Sequence, residues 1–250
     1  MPVAPWVTRT KSQPRLRMFC FPYAGGGASI YRLWSRFLPL EVEVCPVHLP
    51  GRERKVNEPL FTHITPLIEM LTQVLDPYMD IPFTFFGHSM GALISFEMAR
   101  SLRKNGSRGP MHLFLSAHRA PQLPRSHAPI SHLPESEFVQ NVINLGGTPL
   151  AVIQNAELMQ LLLPLLRADF EITETYAYLD EPPFDCPITA FGGELDTAVS
   201  VQEVAAWRMQ TQGPFALNIL AGDHFFIHSN QNLLLRHLSQ DLTTLLSQRT

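Results

Sequence analysis

The chain has 250 residues, of which 45% are hydrophobic and 16% charged, with a formal net charge of −3. That balance describes a globular chain able to bury a large core, and its slight acidity excludes the strongly basic surface that a nucleic-acid partner favours. No apolar run approaches the roughly 18 residues of a membrane span, and residues 1–17 carry prolines and scattered charges instead of the apolar stretch of a secretion signal, so a cytoplasmic location is expected, with no membrane partner.

Strand-like and helix-like segments alternate along the chain. Leu16 to Tyr23 reads as a strand, and Ile30, Leu33, Trp34, Phe37 and Leu38 then fall on one helical face. Val42 to Val47 is strand-like again, followed by a helical stripe of Leu67, Ile68, Leu71, Val74 and Leu75 that ends near Asp76-Pro77. Pro82 to Phe86 reads as a short buried strand, Ala92 to Leu102 as an amphipathic helix, and Met111 to Ser116 as a fourth strand. Pro187 to Phe191 and Phe215 to Leu220 supply two more, separated by a helical stretch over Val201 to Met209. A last helix runs from about Leu233 to Leu246. This alternation predicts an α/β fold, with a mostly parallel sheet covered by helices on both faces and catalytic groups at the carboxyl ends of its strands. About 70 residues between Ser116 and Pro187 break the rhythm, too many for a structureless loop in a compact domain. Helix-like pieces at Glu135 to Ile143, Glu157 to Ala168 and Phe170 to Tyr178 make this a helical insertion at about 120–183, a lid within a single domain spanning 1–250. The competing reading is an ordinary part of the helical shell.

Gly87-His88-Ser89-Met90-Gly91 is the most informative stretch. Strand, sharp turn and helix together form a nucleophile elbow, in which close approach of strand and helix leaves no room for side chains at the two glycines. The same turn also suits a serine that caps the helix starting at Met90. A serine hydroxyl needs a positioned base, and in this architecture the acid and the histidine follow it in chain order. Asp196 lies just beyond the strand Ile188 to Phe191, with Glu194 as its competitor. His224 follows the last strand in Ala221-Gly222-Asp223-His224 and is the best placed of ten histidines. His88, inside the elbow, is expected to pack or hydrogen-bond locally. For the oxyanion of a tetrahedral intermediate, one backbone donor is the N–H of Met90. The second comes from the glycine-rich loop after the first strand and is assigned to Ala24, with Gly25 as its neighbouring alternative. That loop is no dinucleotide site, because Ile30 stands where G-x-G-x-x-G needs glycine. Cys20, Cys45 and Cys186 are isolated, read as reduced buried thiols at strand interiors, and no C-x-x-C suggests zinc. No metal and no resident cofactor are expected.

Phe21-Pro-Tyr-Ala-Gly-Gly, His48-Leu-Pro-Gly-Arg52, Gly87-His-Ser-Met-Gly91, Leu166-Arg-Ala-Asp-Phe170 and Gly222-Asp-His-Phe-Phe226 together resemble the stand-alone type II thioesterases that accompany non-ribosomal peptide and polyketide synthetases. The resemblance spans the chain from about residue 17 to the last helix. It implies an α/β-hydrolase fold with a helical lid, and hydrolysis of acyl thioesters carried on the phosphopantetheine arm of acyl or peptidyl carrier domains. The substrate then brings the phosphopantetheine with it, and the carrier acts in trans, since no G-x-D-S-L attachment sequence is present. A related branch that releases medium-chain fatty acids shares these motifs. A carboxylester hydrolase on small molecules, or a hydrolase-fold binding protein without catalysis, are the readings from other classes. Two basic clusters, Arg100, Arg103, Lys104 and Arg108, and Arg52, Arg54 and Lys55, are candidates to steer an acidic carrier into place, or are ordinary solvated charge. The motifs are silent on oligomeric state, and a monomer is the expectation.

Overall fold

The strands are apolar on both faces, and that decides the architecture. A computed structural model describes residues 5–9, 11, 13–147 and 154–248. Six strands, β1 (Leu16–Phe21), β2 (Val42–Pro46), β3 (Phe83–His88), β4 (Leu113–Ser116), β5 (Ile188–Gly193) and β6 (Phe215–Leu220), pair in parallel in the order β2-β1-β3-β4-β5-β6. All six are the strands that the sequence pattern predicts. Successive residues serve opposite layers. Phe19, Phe21, Phe83, Phe85, Leu113 and Leu115 enter one core with α1 (Ile64–Leu75) and α2 (Met90–Lys104). Met18, Cys20, Phe86 and Phe114 enter the other, beneath Tyr31, Trp34 and the leucines of the C-terminal helix.

Helical expectations hold in place but not always in form. Residues around Ile30 to Leu38 make two 3-10 turns, Ala28–Tyr31 and Trp34–Arg36, in place of a continuous helix. Their anchors are Tyr31 and Trp34, both buried against Phe86. In the insertion, α3 (Glu135–Asn144) is followed by a single 19-residue helix, α4 (Ala156–Glu174), where the pattern suggests two. Asp169 interrupts the apolar stripe, so the spacing reads as a break, yet its side chain is buried and the helix runs through it. The residues after Glu174 leave the helix earlier than expected. Phe138, Val142, Met159, Leu163 and Leu166 give α3 and α4 a small core of their own. Residues 148–153 of the expected insertion lie outside the described residues. Beyond β5 come α5 (Val201–Ala205), opened by a reciprocal Ser200–Glu203 cap, then a 3-10 turn, β6, the short α6 (Phe226–Ser229) and α7 (Gln231–Ser247). Cys20 and Cys45 are buried in strands as expected, whereas Cys186 is half-buried just ahead of β5, and all three are free thiols. Among the described residues no helix is long and apolar enough to cross a membrane.

The return from the insertion to β5 is held by one carboxylate. Glu181 takes Arg100 Nη2 at 2.5 Å and Lys104 Nζ at 2.8 Å on Oε1, and Arg103 Nη2 at 2.8 Å on Oε2. These three cations, Arg100 foremost, pull the Glu181 carboxyl down to about 2. A folded-state value below the ordinary 4.5 stabilises the fold wherever the unfolded chain is ionised, and the gain is lost as pH falls. Glu181→Gln should therefore lower the denaturant midpoint most at neutral pH, and the gap from wild type should shrink as pH falls from about 4.5 towards 2. A gap independent of pH would refute this account of the anchor.

Candidate active site

The strand order has a switch point between β1 and β3, since β2 lies on one side of β1 and β3 to β6 on the other. Ligand crevices open at such points, beyond the carboxyl ends of the strands. Ser89 stands there, directly after β3, with φ 53° and ψ −120°. Its neighbours explain how a non-glycine residue is held in that strained region. A Cβ on Gly87 would lie 1.9 Å from the Gly91 carbonyl oxygen, and one on Gly91 would lie 2.0 Å from that of Phe21. The elbow is thus wedged between its own helix and the end of β1.

The later strands deliver the other groups. Ser89 Oγ lies 3.0 Å from His224 Nε2, and His224 Nδ1 lies 2.8 Å from Asp196 Oδ2. The Asp196 side chain is fully buried, and its Oδ1 accepts the N–H groups of Ala198 at 2.8 Å and Val199 at 3.0 Å. One carboxylate oxygen is thereby fixed by backbone and the other is left for the imidazole. Glu194 is exposed and does not compete. All three residues expected from the sequence are brought into one hydrogen-bonded line.

The glycine-rich loop completes the arrangement. Tyr31 donates its hydroxyl to the Phe21 carbonyl at 2.7 Å, and the Gly26 N–H closes a turn onto the Tyr23 carbonyl at 2.9 Å. Of the two donors left open by the sequence, the Gly25 N–H is given to Asp169 Oδ2 at 2.7 Å. Among the described residues neither the Ala24 nor the Met90 N–H has an acceptor in the protein, and both residues line the same cavity as Ser89 and His224. That cavity is about 570 Å³ and is walled by Ile130, Leu133, Asn141 and Phe170 of the insertion. No cluster of three or more histidines, cysteines or acids suited to a metal occurs among the described residues.

Two findings go beyond the sequence reading. His88 does not bond only locally. Its Nε2–H donates to the carbonyl of His224 at 2.9 Å, so Nδ1 accepts from the Ser116 hydroxyl at 2.8 Å. Burial holds its pKa well below the ordinary value, with His224 adding to the effect, and the ring stays neutral. An imidazole inside the elbow thus fixes the backbone of the loop that presents His224. The basic clusters, in turn, are partly tied into the fold. Arg52 is buried in a bidentate pair with Asp169, and the Lys55 ammonium sits 3.6 Å above the Trp6 ring. Arg100, Arg103 and Lys104 all bond Glu181, while Arg54, Lys104 and Arg108 are exposed. Asp169 stands in one of the motifs that carry the family resemblance, but sequence reasoning gave it no role and did not pair it with Arg52.

With this geometry in place, comparison with known proteins gives the class. A thioesterase-domain family profile matches residues 16–242. The gramicidin S biosynthesis protein GrsT of Aneurinibacillus migulanus is 45% identical over 236 residues, covering 94% of this chain and 92% of its own. The solved structure of RedJ, a thioesterase from the prodiginine pathway of Streptomyces coelicolor, superposes with a TM-score of 0.86 at 39% identity, covering 91% of this chain and 90% of that one. BorB, a type II thioesterase from the borrelidin biosynthetic cluster, superposes at 0.85 with 32% identity over 94% and 96% of the two chains. The chain belongs to the thioesterase-domain family, within which it is similar to the type II thioesterases.

The His88 network can be tested directly. His88→Phe keeps a ring in the site but strands the His224 carbonyl and the Ser116 hydroxyl, which should cost about 1–3 kcal/mol of stability in denaturant titration. A variant as stable as wild type would show that neither bond matters.

Proposed function

We propose that this protein is a serine thioesterase that hydrolyses acyl groups from the phosphopantetheine arm of carrier domains in trans, clearing mis-acylated or stalled carriers of a peptide or polyketide synthase. The observation that carries the reading is the continuous line Asp196–His224–Ser89, ending beside two unpartnered N–H groups on the floor of one cavity. Similarity to GrsT, RedJ and BorB supports the carrier-bound thioester as substrate.

In this reading His224 Nε2 takes the Ser89 proton as Oγ attacks the thioester carbonyl, and Asp196 holds the imidazole in the required tautomer. The N–H groups of Ala24 and Met90 receive the oxyanion. Collapse expels the pantetheine thiolate, which takes the proton from the His224 imidazolium, leaving the acyl group on Ser89 and His224 neutral. Water deprotonated by His224 then releases the acid and restores the serine. The insertion acts as a lid that walls the acyl chamber. The chemistry is assigned to side chains and backbone alone, with no cofactor or metal, in a cytoplasmic protein working as a monomer.

The test is to present carrier domains loaded with acetyl, aminoacyl and medium-chain groups, with Ser89→Ala as the blank. Broad, slow clearance of the short groups is the expected result. A sharp optimum at medium chain length would move the function to fatty-acid release, and equal rates on simple oxygen esters would sink the carrier-dependent reading. On the preferred carrier, Asp196→Asn should lower kcat by about 10³–10⁴-fold, because the imidazole loses its orienting acceptor.

A further inference from the structure

The turn that carries Ala24 is closed by one bond of its own, Gly26 N–H to the Tyr23 carbonyl, and is otherwise braced from outside. Of its backbone groups, the Gly25 N–H and the Gly26 carbonyl point to charged side chains from elsewhere in the chain. The Gly25 N–H goes to Asp169 Oδ2 at 2.7 Å, and the Gly26 carbonyl accepts Arg52 Nη1 at 3.1 Å. Asp169 and Arg52 are in turn locked together by two bonds of 2.7 Å, and Arg52 Nε is tied to the Pro50 carbonyl at 3.1 Å. Both are buried, Asp169 to 1% exposure and Arg52 to 7%. Three segments distant in sequence therefore meet at one ion pair: the turn after β1, the loop after β2, and α4.

The peptide geometry shows what this pair does for the site. In a trans peptide the C=O and the N–H point in opposite directions. The Tyr23 carbonyl is turned inward onto the Gly26 N–H, so the Ala24 N–H of the same peptide unit is turned outward. That arrangement needs the turn to close with Gly25 at φ +75°. Asp169 pins the next peptide unit, and Arg52 pins the one between Gly26 and Gly27. Leu166, one turn before Asp169 on α4, fills the space over Gly25, where a Cβ would lie 2.5 Å from its Cδ2. Phe170, Thr173 and Glu174 of the same helix line the acyl chamber.

We propose that Asp169, held by Arg52, is a positioning residue for the oxyanion turn, and that it makes the aim of the Ala24 N–H depend on the seating of α4. The inference rests on the reading of Ala24 as an oxyanion donor. Without Asp169 in place Gly25 loses its acceptor, and the turn keeps only the Gly26–Tyr23 bond and the Arg52 contact to the Gly26 carbonyl. The helix that walls the chamber thus also braces the turn that carries the donor for the transition state.

Asp169→Ala alone would leave the Arg52 charge buried without a partner, a lesion severe enough to unfold the chain. The informative variant is Arg52→Met with Asp169→Leu, which removes both charges and keeps the volume. It is read with two probes: a short acyl-pantetheine thioester and a fluorophosphonate that labels Ser89 irrespective of thioester specificity. The double variant should keep its circular dichroism and a single cooperative unfolding transition, lose about 10²–10³-fold in kcat with little change in KM, and label Ser89 more slowly by a similar factor. Arg52→Met with Asp169→Asn, which removes both charges but keeps an acceptor for Gly25, should recover part of the loss. A folded double variant with wild-type kcat and labelling, or one whose loss lies wholly in KM, overturns the proposal. Wild type that labels yet hydrolyses no thioester would overturn the proposed function instead, and the labelling series alone would then decide the role of Asp169.

Discussion

The close approach of the first turn of α2 to the end of β1 is the constraint on which the site depends. Gly91 lies so near the Phe21 carbonyl that any Cβ there would overlap it, and Gly87 is equally tight against the backbone of Gly91. This contact holds Ser89 at positive φ above the sheet. It also sets the glycine-rich turn, which leaves β1 immediately after Phe21, beside the serine. Ser89 and the glycine-rich turn are neighbours because β1 and β3 are neighbours in the sheet. Asp196 and His224 follow β5 and β6, two and three strands farther along, and their loops have to reach back across β4. His88 helps to bridge that gap by bonding Ser116 at the end of β4 and the backbone of His224 together.

The insertion stands in a different relation to the sheet. Its helices have an apolar core of their own, and their attachment to the site includes a buried ion pair. Burying two charges carries a desolvation cost that an apolar contact would avoid, so such a pair is weak evidence for stability as such. Directional bonds do what an apolar contact does not: they hold particular backbone groups in particular orientations. Here they reach the Gly25 N–H and the Gly26 carbonyl, the two groups that flank the turn of Ala24. At the C-terminal end of α2, Glu181 gathers three cations and fastens the chain as it returns to β5.

Six strands, the elbow and the order of serine, acid and histidine were legible because each depends on a local pattern. Two-sided apolar strands, a glycine pair around a serine, and an acid or histidine just past a strand end are all read within a few residues. The failures share a cause. The segment over Ile30 to Leu38 has helical spacing, but burial of Tyr31 and Trp34 beside Phe86 holds it in two short turns. Asp169 looked like a break in a helix because its partner stands 117 residues away. Lys55 and Arg100 looked solvated because charge is ordinarily exposed, and only the fold supplies Trp6 and Glu181 as their partners.

By itself, then, the sequence determined the layered α/β sheet, the steric necessity of Gly87 and Gly91, and the three side chains that line up from Ser89 to Asp196. Periodicity and backbone sterics act over short stretches, and neither needs to know what lies across the molecule. Tertiary structure alone decided which of the Ala24 and Gly25 N–H groups stays free, how His88 braces the loop of His224, and that Arg52, Lys55 and Arg100 are internal anchors. Each of those outcomes is a bond between residues far apart in the chain. Such bonds exist only once the strand order β2-β1-β3-β4-β5-β6 has brought their partners together.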